Sequence, residues 1–190
     1  MSTVPRVCGA LMLCVGASTA VADRPPQYFG VNGFDQVASE FGVEPDDGGE
    51  FNGDLWRLKL GYEFSKFLAA EVHYGFGDDA STGGEEFEVN LREAAAFGRF
   101  QLPYERLDVY FLAGVGRVGV SIPTLGRLTG EGPAAGLGVD FYGTENTAVT
   151  LEYVVYDVEL EHDDFNGEAD TTYDALTLGL THHFEWPAFR

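Results

Sequence analysis

Trp56-Arg57-Leu58-Lys59-Leu60-Gly61-Tyr62-Glu63-Phe64 alternates large apolar residues with charged or small ones over its whole length. After a turn at Ser65-Lys66 the pattern resumes: Leu68, Ala70, Val72, Tyr74 and Phe76 alternate with Ala69, Glu71, His73 and Gly75. A period of two residues is the signature of strands with unlike faces, and two such runs across a short turn make a β-hairpin. In a water-soluble barrel the bulky apolar face fills the interior. Here the other face is the one suited to a narrow interior, since it holds glycine and long charges of both signs. Large apolar residues outside and polar residues inside is the distribution of a membrane-spanning barrel.

The same period recurs to the end of the chain. Phe87, Val89 and Leu91 alternate with Glu88, Asn90 and Arg92. Tyr110, Leu112, Gly114, Gly116, Val118 and Val120 alternate with Phe111, Ala113, Val115, Arg117 and Gly119. Leu137, Val139 and Phe141 flank Gly138 and Asp140; Val149, Leu151, Tyr153 and Val155 flank Thr150, Glu152 and Val154. Leu176, Leu178, Leu180, His182 and Phe184 alternate with Thr177, Gly179, Thr181 and His183. Tyr28 to Val37 supplies an eighth strand whose phase the sequence leaves open. The expected fold is all-β, an eight-stranded antiparallel up-and-down transmembrane barrel. Its expected lumenal charge network is Arg57, Lys59, Glu63, Glu71, His73, Glu88, Arg92, Arg117, Asp140 and Glu152, because buried charges need partners. One run conflicts: Glu93 and Arg99 share the phase of Leu91 and Phe97. A β-bulge near Ala94 to Ala96, or a strand that leaves the membrane early, would reconcile them.

The connections alternate as well. Short turns fall at Ser65-Lys66, Leu102 to Arg106 and Gly143 to Asn146. Longer polar stretches cover Gly42 to Asp54, Gly77 to Glu86, Pro123 to Gly132 and Asp157 to Asp170. Eight strands with both termini on the periplasmic side require three short turns and four outer loops. Sixteen of the 31 acidic residues lie in three of these loops.

Ahead of the strands, residues 1–22 read as a signal peptide: Arg6 precedes an apolar run, and Ala20-Val21-Ala22 closes it before Asp23. Residues 23–190 are then the barrel domain. Cys8 and Cys14, the only cysteines, fall within the leader, so the mature chain is expected to have neither a disulfide nor a thiolate site. The formal charge of −20 repels nucleic acid phosphates, while 14% aromatic residues speak against disorder. No later segment has 18 consecutive apolar residues, so strands rather than helices would cross the membrane.

Leu60-Gly61-Tyr62-Glu63-Phe64, Glu71-Val72-His73-Tyr74-Gly75, Ala113-Gly114-Val115-Gly116, Gly136-Leu137-Gly138-Val139 and Leu151-Glu152-Tyr153 occur in this order along the chain. With them the mature chain resembles the small outer-membrane β-barrel proteins related to the OmpA membrane domain and the opacity-type porin-like proteins. Leu178-Gly179-Leu180-Thr181-His182-His183-Phe184 is similar to the last strand of that family. The resemblance implies an outer-membrane location and recognition of the terminal aromatic by the barrel-assembly machinery. It departs from the pattern at His182 and in continuing past Phe184, where Phe189 offers a substitute aromatic.

Chemical candidates are few. Glu71 and His73 share a face and could form an acid–base pair, but an internal salt-bridge network is the stronger reading. His182 and His183 point to opposite faces and cannot chelate one metal. Ser39, Ser65, Ser81 and Ser121 have no histidine neighbour in sequence, so no catalytic residue and no cofactor is expected. Asp46, Asp47, Asp163 and Asp164 are candidates for weak Ca²⁺ or Mg²⁺ binding in the loops, although none fits a calcium-loop motif. The expected role is a non-enzymatic structural or surface-interaction protein, monomeric, with lipid and lipopolysaccharide as neighbours. A narrow cation-preferring channel and a soluble periplasmic ligand-binding barrel are the alternatives.

Overall fold

The computed structural model describes residues 24–32, 39–45, 51–82, 85–122, 126–162 and 165–185. Residues 1–22, read above as a signal peptide, and Asp46, Asp47, Asp163, Asp164 and Phe189 lie outside these residues. β1 comprises Gln27–Asn32 and Ser39–Pro45, which pair with successive stretches of the last strand. β2 comprises Phe51–Asp54 and Trp56–Ser65. The others are β3 (Leu68–Thr82), β4 (Glu85–Tyr104), β5 (Leu107–Ile122), β6 (Gly126–Tyr142), β7 (Thr147–His162) and β8 (Phe165–Phe184). Each pairs antiparallel with the next, and β1 pairs with β8 from Gln27↔Phe184 to Asn32↔Gly179. The sheet is therefore closed, with eight strands and no free edge.

Three tight turns and both described chain ends meet at one rim. Ser65 Oγ accepts from the backbone N–H groups of Phe67 and Leu68 at 3.3 and 3.2 Å. Thr144 Oγ1 accepts from the Thr147 N–H at 3.0 Å. Between the paired residues Tyr104 and Leu107, Glu105 has φ 50°, a left-handed conformation unfavourable for a residue with a Cβ. Glu105→Gly is expected to raise unfolding stability by about 0.5–1 kcal/mol, the relief of strain less the added freedom of the unfolded chain. A higher urea midpoint in tryptophan fluorescence would register it.

At the opposite rim the strands run on into the stretches expected as loops. β3–β4 pairing continues to Thr82↔Glu85, and β7–β8 pairing to Phe165↔His162. The polar outer connections are thus mostly extended hairpins. Ladder hydrogen bonding satisfies the backbone there whether the strand is in lipid or in water, so side-chain polarity did not mark the strand ends.

The outer wall confirms the inside-out arrangement. Along β2, Trp56, Leu58, Leu60, Tyr62 and Phe64 are all exposed, Leu60 by 50% and Phe64 by 69%. Between them Arg57 and Lys59 are fully buried. Nine residues at ~3.3 Å each, tilted about 40°, cover roughly 23 Å, close to the apolar band of outer-membrane barrels. At the end remote from the turns the band stops at charge on strand after strand: exposed Asp54 on β2, exposed Asp157 on β7 and half-exposed Asp174 on β8.

Two strands take the opposite phase from that expected. On β4, Leu91 is fully buried and Arg92 faces out; on β5, Leu112 and Val118 are buried while Phe111 is 45% and Val115 65% exposed, and Arg117 faces out with them. Arg92 and Arg117 therefore do not belong to the lumenal network. The same phase turns Glu93 and Arg99 inward. The β4–β5 ladder runs from Asn90↔Ser121 to Tyr104↔Leu107 without a register shift, so neither the bulge near Ala94 to Ala96 nor an early exit occurs. The physical reason is that the lumen is not uniformly polar. It also holds an apolar cluster including Leu91, Phe97, Leu112, Val118, Val154 and Tyr156, and an apolar side chain on these strands does not by itself mark the lipid face.

Candidate functional site

Among the described residues, charged side chains converge in the lumen. β2 delivers Arg57 and Lys59, β3 Glu71 and His73, β4 Glu93 and Arg99, β6 Asp140 and β7 Glu152; each is at most 3% exposed. Alternation puts them on the inner face, and antiparallel register sets their heights: Lys59 opposes His73, and Gly61 opposes Glu71. Small residues leave the space. A Cβ on Gly61 would enter the Tyr28 ring, and one on Gly138 would enter the Tyr110 ring. These two tyrosines fold over glycine so that their hydroxyls can reach the network.

The carboxylates of Glu71, Glu93, Asp140 and Glu152 are each satisfied from more than one side. Arg57 binds Glu93 through Nε and, at 3.0 Å, through Nη2, while the Tyr173 hydroxyl donates to Glu93 at 2.8 Å. Glu152 accepts from Arg57 Nη1 and Lys59 Nζ, both at 3.2 Å, and from the Tyr110 hydroxyl at 2.8 Å. Glu71 accepts from the Tyr28 hydroxyl (2.6 Å), Arg99 Nη1 (2.8 Å) and His73 Nε2 (2.7 Å). Asp140 accepts from Arg99 Nη2 at 2.7 Å and the Thr150 hydroxyl at 2.5 Å. Arg99 also stacks on the Tyr110 ring, 3.7 Å from its centroid. Nearer the turns, Arg24 pairs with Asp108 at 2.7 Å and lies 3.8 Å from the Tyr142 ring centroid. His183 hydrogen-bonds the Tyr142 hydroxyl and the Pro25 carbonyl, both at 3.0 Å.

Of the expected network, Arg57, Lys59, Glu71, His73, Asp140 and Glu152 are brought together. Glu63 is half-buried near the turn rim, where it accepts from Gln101 Nε2 at 2.7 Å. Glu88 has no described side chain, and Arg92 and Arg117 are outside. Sequence reasoning missed Glu93, Arg99, Gln101 and the four tyrosine hydroxyl donors or stacking partners. A signal was available: Glu93, Arg99 and Gln101 are spaced by even numbers, which puts three polar side chains on one strand face.

Glu71, His73 and Glu152 offer ligand atoms within 4.8 Å of one another. Lys59, Arg57 and Arg99 already hold the oxygens of these carboxylates, so a metal ion would have to displace an ammonium or guanidinium group. Among the described residues, the hydrogen bonds of lumenal His73 and His183 go to a glutamate, a tyrosine and a backbone carbonyl, never to a serine. The geometry is that of an ion-paired plug.

The family model for the outer membrane protein beta-barrel domain matches residues 8–184. The chain belongs to this family. It is an outer-membrane protein, and the soluble periplasmic alternative is set aside. Among solved structures, Neisserial surface protein A is 17% identical at a TM-score of 0.64, covering 83% of this chain and 97% of that chain. The outer membrane protein OprG from Pseudomonas aeruginosa is 12% identical at a TM-score of 0.58, covering 86% and 98%. Ail, the attachment invasion locus protein of Yersinia pestis, in complex with sucrose octasulfate, is 16% identical at 0.58, covering 84% and 99%. At these identities the likeness is one of fold. No curated protein sequence matches the chain.

Proposed function

We propose that this outer-membrane barrel is a non-enzymatic structural and surface-interaction protein with a closed lumen, acting through the extended hairpins opposite its turns. The observation that carries this reading is the set of Arg57–Glu93, Lys59–Glu152 and Arg99–Asp140 pairs packed among the side chains of an apolar inner cluster. An ion crossing would have to break buried pairs and pass through apolar packing, both costly. Acidic hairpins would give the exposed end its interaction chemistry, and Ca²⁺ or Mg²⁺ would be held there weakly, with Asp46, Asp47, Asp163 and Asp164 as ligands. Removal of residues 1–22 on export and insertion by the barrel-assembly machinery complete the reading. It is supported at the N-terminus by the burial of Arg24 in the rim, one residue after the proposed new end at Asp23.

Planar-bilayer recording of the refolded full chain tests the closed lumen. No discrete current steps are expected at 100 mV, and shortening the hairpins should abolish binding to a surface partner without affecting insertion. Reproducible cation-selective steps would instead establish the channel alternative.

A further inference from the structure

On the outer wall one register row changes character from strand to strand. It runs Leu58, Tyr74, Ala94, Arg117, Glu131 across β2 to β6, and all five side chains face out. Large apolar residues on β2 and β3 give way to alanine on β4, then to a cation on β5 and an anion on β6. Arg117 and Glu131 are direct cross-strand partners, and both are exposed. Among the described residues, neither takes part in an ion pair, with the other or elsewhere. Arg92 on β4, by contrast, is engaged within its own chain. Its Nη1 donates to the Leu91 carbonyl at 3.0 Å, and its guanidinium lies 5.9 Å from the Phe76 ring centroid.

The next row toward the turns contains Val72, Ala96, Val115 and Pro133, and here the wall is hollow. A groove of about 790 Å³ is lined by these four residues and Ala94, with Arg117 and Glu131 on its border. The hollow has two causes: small outward residues on β4, and Pro133, which lacks an N–H. At Gly132 and Pro133 the β6–β7 ladder lapses, passing from Glu131↔Glu159 to Ala134↔Tyr156.

We propose that this wall is the contact face of a homodimer, two barrels side by side about a two-fold axis along the membrane normal. A two-fold interface is isologous, so each contact occurs twice with the roles exchanged. An axis passing between β5 and β6 sets β5 of one copy against β6 of the other. Because Arg117 and Glu131 are neighbours in register, the Arg117 of each copy then meets Glu131 of the partner subunit. Strand tilt separates them in depth by about 3 Å, within the reach of an arginine side chain. A cation and an anion side by side are self-complementary under this rotation. A partner of single sign would leave one of them unpaired in a dry contact, which is costly, and lipid chains offer neither a partner. The same half-turn sets β4 against β7. The groove therefore receives outward side chains of the second barrel, such as those of the β7 residues Leu151 and Tyr153, 48% and 43% exposed, and not another hollow. Small residues in the groove let the two walls approach closely, the usual basis of association in lipid. The sequence on its own suggests a monomer, because cross-strand register is not visible in it. The inference rests on the outer-membrane location and is independent of whether the lumen conducts.

Native mass spectrometry of the refolded full chain in lipid bicelles tests it, through charge reversal and mixing. The parent should appear as a dimer. Arg117→Glu alone sets Glu against Glu131 of the partner subunit at both contacts, and Glu131→Arg alone sets Arg against Arg; each should lower the dimer fraction at least tenfold. Mixing the two variants restores both contacts with opposite signs, so a mixed dimer, resolved by its mass, should form at the parental level. Restoration on mixing separates a contact between chains from a cross-strand contact within one. Ala96→Phe, which fills the groove, should also lower the dimer fraction at least tenfold, whereas Lys66→Glu at the turn rim should leave it unchanged. All these side chains point into lipid or water, and heat-modifiable migration on gels verifies that each variant is folded. A monomeric parent, reversal variants that dimerise alone, a mixture that stays monomeric, an unaffected Ala96→Phe variant or an equal loss in the Lys66→Glu control would overturn the assignment.

Discussion

Arg57→Met is expected to cost the barrel about 3–5 kcal/mol of unfolding free energy, the usual penalty for removing one partner of a buried ion pair. Arg57 is completely buried and engages both Glu93 and Glu152. Its loss strands Glu93 in particular, which among the described residues would keep the Tyr173 hydroxyl as its hydrogen-bond donor. Glu152 would still have Lys59 and Tyr110. The cost should therefore be concentrated on one carboxylate. Adding Glu93→Gln removes that orphaned charge while preserving an acceptor for Tyr173, so the double variant should recover a large part of the loss. Urea unfolding in micelles, followed by tryptophan fluorescence, gives both values and their coupling. A single variant within 1 kcal/mol of the parent, or a double variant worse than the single, would show that the network is not held as an ion-paired unit.

The second expected result sets neighbouring positions on opposite faces of β2 against each other. Leu60→Arg presents a charge to the middle of the apolar band, since Leu60 is the third of five outward residues and is half exposed. The expected cost is about 2–4 kcal/mol. Gly61→Arg points inward, where even a Cβ collides with the Tyr28 ring. Displacing Tyr28 would add the loss of its hydrogen bond to Glu71, about 1.5–3 kcal/mol for a bond to a charged group, to an overpacking cost of about 1–3 kcal/mol. Leu60→Arg should lower the fraction of heat-modifiable barrel after refolding, and Gly61→Arg should nearly eliminate it. Gly61→Ala, which keeps the collision without the charge, should fall in between. A Gly61→Arg barrel as stable as the parent would mean that this face is not the packed interior.

Where one face of a strand was apolar and the other charged, the sequence was enough to orient it. β2 and β3 show this: Arg57, Lys59, Glu71 and His73 lie inside as their alternation with Leu58, Leu60, Val72 and Tyr74 requires. β4 and β5 were harder because apolar side chains stand on both of their faces. Leu91 and Val118 inside have much the same chemistry as Phe111 and Val115 outside, and the polar residues that might have decided the matter, Arg92 and Arg117, sit at a membrane boundary where charge is tolerated. Their long side chains can reach headgroups from an outward position, so a charge near a band edge carries little information about facing. Arg99 lies deeper and did carry it, because mid-band charge has no tolerable place except the lumen.

Alone, the sequence determined that the chain forms eight antiparallel strands with apolar residues toward lipid, since a two-residue period and alternating connection lengths are local properties. It also determined that the interior must be rich in paired charge. Only the tertiary structure decided which charges pair. Arg57 with Glu93 and Arg99 with Asp140 are 36 and 41 residues apart, and each pairing follows from closure and stagger of the whole sheet. The same closure brought Arg117, Glu131 and the groove they border onto one stretch of wall. Local alternation sets the face on which a side chain stands; the register of all eight strands sets its height and its neighbours.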